Sequence, residues 1–240
     1  FMDHGLIEPL ILDQNLVANT TIMTIKPPTA KDFKRFPFLT KEAIEQLQRL
    51  PDLYKEWNSR INVISRKDME LLWERHIFHS LTLGLAADFQ PDMNVLDLGT
   101  GGGFPGIPLA IAFPSVQWTL NDSMAKKIRV VQAVSEAMAI PNISAYHGRI
   151  EKLKGPWDAI VTRAVAPASQ LLTWTRGQVV EGGPIYALKG GRLKSELKGL
   201  DAEVQELKQW MKGSEFYETK CIVTLHHQAE DSARPEIVMP

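Results

Sequence analysis

Residues 96–111 read LDLGTGGGFPGIPLAI, and the spacing of their glycines could do two kinds of chemistry. Gly101, Gly103 and Gly106 form a G-x-G-x-x-G, the pattern of a dinucleotide loop. Gly99, Gly101 and Gly103 form an overlapping G-x-G-x-G with Asp97 two residues ahead. In either register the backbone approaches a ligand where a side chain would collide. Both registers also want an acid at the end of the next strand to bind ribose hydroxyls, and Asp122 lies about 20 residues on. Asp97 discriminates between them. A carboxylate just before the loop would repel a pyrophosphate, whereas S-adenosylmethionine has no phosphate and carries a cationic ammonium and sulfonium. The coincidence of five glycines with an acid sets a merely structural turn behind both readings.

Other chemistries are narrowed by what is missing. An amine-directed adenine methyltransferase usually carries an N-P-P-Y-like turn after the fourth strand, where this chain reads VTRAVAP. A cytosine-C5 enzyme needs a thiol nucleophile. The single cysteine, Cys221, sits in the alternating run TKCIVTL and reads as a buried strand thiol. One cysteine also excludes an intrachain disulfide and a cysteine-based zinc cluster, and fits a reducing, cytoplasmic setting. Among 240 residues, 27 lysines and arginines stand against 28 acids, so bulk charge predicts no avid, unspecific nucleic-acid binding. The apolar stretch GIPLAIAF is too short to cross a bilayer.

The elements that must position these residues fall into two regimes. Residues 1–22 lack a basic n-region and a helical period, and are read as a leader or disordered segment ahead of Met23. Residues 23–90 are expected to form a helical cap. Thr40 is an N-cap candidate, and Ile44, Leu47, Leu50, Leu53, Tyr54 and Trp57 recur at helical spacing. Pro51 is expected to kink or break that run, and a second helix is expected over 67–85. In residues 91–240, VLDL, VQWTLN, ISAY, WDAIVT and PIYALK read as strands. They alternate with helices near 107–113, 124–139, 168–179 and 193–212. FYETKCIVTL and PEIVM could supply a terminal antiparallel pair. Such alternation implies right-handed crossovers and a mostly parallel sheet covered on both faces. The expected fold class is α/β: a doubly wound, Rossmann-like sheet with an N-terminal helical cap.

At this point the residues resemble a known family. GTGGGFPGIPLAI, LNDSMAKKIRVVQ, GRIE, DAIVTRAVA and YALKG occur in the order and spacing of the bacterial glucose-inhibited division protein B family, and WNSRINVIS and ERHIFHSL resemble its helical cap. The resemblance runs from about residue 50 to 190. It implies a Rossmann-like class I S-adenosylmethionine-dependent methyltransferase fold with a mostly parallel seven-stranded sheet, S-adenosylmethionine as methyl donor and N7 of a guanine in small-subunit (16S) ribosomal RNA as acceptor. Guanine N7 has an in-plane lone pair and no proton, so a direct displacement needs no general base and rests on alignment; no acid–base catalytic residue is expected. The resemblance further implies that Gly99 and Phe104 belong to the cofactor loop, with Asp97, Gly101 and Gly103, and that Asp122 takes the ribose. Ile150 and Glu151 would frame the adenine, and Arg163 would lie between cofactor and guanine. Arg149 and Lys189, at strand carboxyl ends, are candidate contacts to RNA phosphate or guanine O6. Arg75 and His76 in the cap are candidate substrate or hinge contacts.

Each assignment has a plainer rival. Arg163 could simply neutralise Asp97 or Glu151, and Lys189 could be a solvated strand-end charge. Asp122 could cap the following helix, as Ser123 could, and His76 could be a packed structural histidine. Trp57, Trp73 and Trp157 read as core rather than stacking platforms. The tracts KRF, SRK, AKK and GGRLK are candidates for a basic rim or for solvated faces. His79 stands where many family members carry an acid, and SARPEIVMP stops just after an apparent strand. Other functions open to the sequence are a methyltransferase of another substrate, an NAD-dependent oxidoreductase and a noncatalytic RNA-binding assembly factor. The expected partner is 16S rRNA or the small ribosomal subunit, with no membrane, and the expected state a monomer.

Overall fold

A computed structural model describes residues 25–191 and 193–228; residues 1–22 and the PEIVM segment lie outside them. The chain opens with a short helix α1 (Ala30–Phe33), then α2 (Lys41–Leu47) and α3 (Leu50–Arg60). Thr40 caps α2, its side chain accepting from the Ala43 N–H at 3.1 Å. Pro51 separates α2 from α3 as expected, and sits in the first turn of α3, where its missing N–H costs nothing.

The second cap helix is not continuous. It runs as α4 (Arg66–Glu70), a π-helical turn over Trp73–Phe78, α5 (His79–Leu81) and a 3-10 turn over Thr82–Leu85. Sequence periodicity at three and four residues does not reveal the wider turn.

The strands are β1 (Asn94–Leu98), β2 (Gln117–Asp122), β3 (Ile143–His147), β4 (Ala159–Arg163), β5 (Ile185–Gly190), β6 (Ala202–Glu206) and β7 (Lys220–Leu225). They form one seven-stranded sheet ordered β3-β2-β1-β4-β5-β7-β6. The first five run parallel, and β7 enters antiparallel between β5 and β6. Helices α6 (Gly106–Ala112), α7 (Ala125–Met138) and α8 (Ala168–Thr175) complete the crossovers. Alternation along the strands divides the interior. Val95 and Val161 face a cluster shared with Tyr54, Leu72 and Ile107, while Leu96, Leu98 and Ile160 face Leu171 and Val223 on the other side. Burial on both faces explains why these strands read as nearly unbroken apolar runs.

The helix expected over 193–212 is absent. That stretch turns through Gly199 at φ +79°, forms β6 and ends in a 3-10 turn over Leu207–Gln209. Its helical propensity is overridden because β7 offers an unpaired edge. Val204 pairs with Val223 there, and Glu203 and Glu206 keep the new edge charged. The second partner of β7 is therefore β6. Cys221 is a buried β7 thiol, as expected.

Candidate functional site

The sheet order reverses between β1 and β4, so a crevice opens outside the carboxyl ends of those strands. There the structure has a cavity of about 980 Å³. Of the residues assigned to cofactor or substrate, all line it except Asp97 and Gly103; Gly106 of the glycine run does not line it either.

Asp97 is fully buried beneath the loop. Its Oδ2 accepts from Thr100 Oγ1 at 2.5 Å and from the Gly106 N–H at 2.8 Å, tying the end of β1 to the start of α6. Burial raises its carboxyl to about 7. Its Oδ1 has no hydrogen-bond partner among the described residues. Gly103 is turned inward, where an added Cβ would strike Ile107. Gly101 differs: it sits at φ +61°, and an added Cβ would meet no protein atom within 4 Å. Its N–H donates to Asp122 Oδ2 at 3.0 Å.

Asp122, at the end of β2, also accepts from the Met124 N–H at 2.8 Å and pairs with Lys127 at 3.3 Å. It therefore braces the turn ahead of α7 and fixes the loop at once, while α7 itself, with Met124 as its N-cap residue, starts without a side-chain cap from either Asp122 or Ser123. Asn121, which sequence reading missed, donates from Nδ2 to the carbonyls of Gly148 at 2.8 Å and Tyr146 at 3.2 Å. That anchors the turn carrying Arg149, Ile150 and Glu151. Ile150 is buried, while Arg149 and Glu151 are exposed on the rim.

On the opposite side of the cavity, the cap meets β4. The π-helical turn presents the Arg75 carbonyl and the His76 ring to Arg163, whose Nη1 donates to the carbonyl at 3.1 Å and whose Nη2 lies 3.0 Å from His76 Nδ1. The guanidinium also lies over the Phe104 ring at 5.5 Å. Burial and then the Arg163 charge push His76 down to about 3, so it is the neutral acceptor. No described ion pair joins Arg163 to Asp97 or Glu151. Arg75 is itself held by Asp68 at 2.7 Å. Residues 214–217 brace the turn: Ser214 Oγ donates to Glu74 Oε1 and Tyr217 Oη to the Glu74 carbonyl, each at 2.5 Å.

Further interlocks escaped the sequence because they depend on tertiary contact. Tyr54 of α3 donates its buried hydroxyl to the Gly102 carbonyl at 2.7 Å and packs on Phe104 with ring centroids 4.7 Å apart. Lys189, at the end of β5, is only 11% exposed; it pairs with Glu196 at 2.7 Å and donates to the Ala166 carbonyl at 2.8 Å. It is no solvated strand-end charge. The Lys189 hydrogen bond holds the Glu196 carboxyl below its usual range. Trp73 is buried, whereas Trp57 and Trp157 are partly buried against the two apolar clusters. No group of three or more potential metal ligands exists among the described residues, and no described helix is long and apolar enough to cross a membrane.

Comparison with known proteins places the whole of this site inside one match. The family described as GidB, rRNA small subunit methyltransferase G, matches residues 43–221. A "Ribosomal RNA small subunit methyltransferase G" from Christiangramia forsetii is 44% identical over 80% of this chain and 94% of its own. Proteins of the same name from Flavobacterium johnsoniae and Bacteroides thetaiotaomicron are 45% and 41% identical, over 80% and 79% of this chain and 95% and 96% of theirs. Among solved structures, a SAM-dependent methyltransferase from Aquifex aeolicus matches 61% of this chain and 88% of its own with a TM-score of 0.48 at 13% identity.

Proposed function

The chain belongs to the rRNA small subunit methyltransferase G family, and from that premise we propose that it transfers a methyl group from S-adenosylmethionine to N7 of a guanine in 16S ribosomal RNA. The observation that carries the reading is the family match across the complete cavity, from the cap to the start of β7.

The cavity suits that cofactor on its own evidence. The open space facing Gly101 is a cradle that a Cβ would begin to fill. Asp122 keeps lone pairs beyond those given to Gly101, Met124 and Lys127, which ribose hydroxyls can use. Ile150 offers an apolar wall for a purine beside the exposed Glu151. S-adenosylmethionine supplies a methyl group made electrophilic by its sulfonium.

The protein's task is then to orient and to keep the attack line clear. Guanine N7 carries no proton, so no base has to remove one, and alignment supplies most of the rate. His76 fits this demand: its Nδ1 lone pair is spent on Arg163, and it stays neutral at physiological pH. Arg163, fixed by two cap groups and Phe104, borders the space where cofactor and base would meet.

Methyl-labelled S-adenosylmethionine incubated with a mixture of small subunits lacking the modification and large subunits tests this. The expected result is label in the small-subunit RNA and none in the large. Cofactor binding without label in any ribosomal RNA would contradict the proposal.

A further inference from the structure

One wall of the cavity carries an arrangement that methyl transfer itself does not require. Glu196 Oε1 accepts both the Ala168 N–H at 2.8 Å and Lys189 Nζ at 2.7 Å, while Lys189 also donates to the Ala166 carbonyl. Two of the three ammonium protons are therefore committed and one remains. Glu196 Oε2 takes no hydrogen bond among the described residues, and both side chains line the cavity. A ligand there meets a donor directly beside an acceptor. A partly exposed ion pair contributes little to stability, and a buried one roughly breaks even against apolar packing, so stability alone is a poor reason for placing this pair in a ligand cavity.

The pair sits where β5 ends and α8 begins, across the reversal of strand order from the glycine loop. With the cofactor at the loop, this is the acceptor's side. Guanine presents O6, an acceptor, beside N1–H, a donor: the complement of Lys189 beside Glu196. Adenine presents the opposite order, an amino donor beside a bare N1, and would set donor against donor and acceptor against carboxylate. The N1 edge also lies across the purine from N7, so gripping it leaves the N7 lone pair free.

We infer that Lys189 and Glu196 read the base-pairing edge of the acceptor guanine, Lys189 Nζ donating to O6 and Glu196 Oε2 accepting from N1–H. This rests on the proposed guanine-N7 activity. It makes both specificity-determining residues, and it requires a target base free of its pairing partner.

The test uses small subunits reconstituted with guanosine or 2-aminopurine riboside at the methylated position. 2-Aminopurine keeps N7 and the 2-amino group but lacks O6 and N1–H. The readout is the ratio of kcat/KM for the two bases, in the wild type and in Glu196→Gln, so intrinsic N7 reactivity cancels. Wild type should favour guanosine by about 100-fold, and Glu196→Gln should lower that ratio by about 10-fold, because its amide donor can face N1–H. Calorimetric binding of S-adenosylhomocysteine certifies that the variant is folded. Should it not be, Lys189→Gln is read in the same way. A ratio unchanged in a folded variant, with both bases slowed equally, would reduce the pair to a brace and overturn the inference. Failure of the wild type to methylate the guanosine subunits would instead overturn the reading beneath it.

Discussion

Asp97 and His76 are two buried groups whose protonation preferences oppose each other. Asp97 is raised from 3.8 to about 7 by burial, so between those values the folded chain holds a proton that the unfolded chain has lost, and stability falls as pH rises. His76 is lowered from 6.5 to about 3, again chiefly by burial, so the unfolded chain takes the proton first and stability falls as pH drops below 6.5. Between about pH 4 and 6.5 the two trends offset. Asp97→Asn, which keeps an acceptor for Thr100 and Gly106, should therefore gain stability relative to wild type as pH rises from 4 to 7. His76→Gln should gain relative to wild type as pH falls through 6. Melting curves across that range check both, and a pH-independent gap for either variant would contradict the assignment. The presence of an acid at position 97 was legible in the sequence, but its position was not. The charge argument casts it as a ligand-facing anion, whereas it lies under the loop as a knot, and only the hydrogen bonds to Thr100 and Gly106 reveal that.

At the level of elements, the glycine loop contains two different kinds of necessity. Gly101 needs its left-handed backbone and faces open cavity, so Gly101→Ala should cost about 1–2 kcal/mol of stability while weakening cofactor affinity more than 10-fold. Gly106 faces Leu120 at 2.6 Å and Asp97 Oδ2 at 2.7 Å from its virtual Cβ. Gly106→Ala should therefore act mainly through packing, costing about 1–3 kcal/mol. Titration calorimetry beside thermal unfolding separates the two, and equal affinity losses at equal stability would contradict the distinction. The parallel strands and their helices were legible because two-sided burial writes unbroken apolar runs flanked by glycine, proline and capping residues. The segment 193–212 was not, because its strand exists only through the edge of β7. The π-helical turn was equally silent: the groups it meets, Arg163, Ser214 and Tyr217, lie far along the chain.

Across the whole molecule, cap and sheet share an apolar cluster, and the cap closes over the carboxyl ends of the strands through Tyr54, His76 and Phe104. Any motion between them would disturb Arg163 and the loop together. A net charge of −1 gives such a molecule little general attraction for phosphate chains. Random-sequence RNA should therefore compete weakly with small subunits for the enzyme at physiological salt, and equal competition would contradict recognition through folded context. The central claim concerns a single atom. N7-methylguanine loses its aromatic imidazole character on borohydride reduction, and aniline then cleaves the strand there. Subunit RNA treated with the protein and S-adenosylmethionine, then reduced and cleaved, should break at one guanine, with no break when the cofactor is omitted. Labelled RNA that resists cleavage would place the methyl group on another atom and contradict the account.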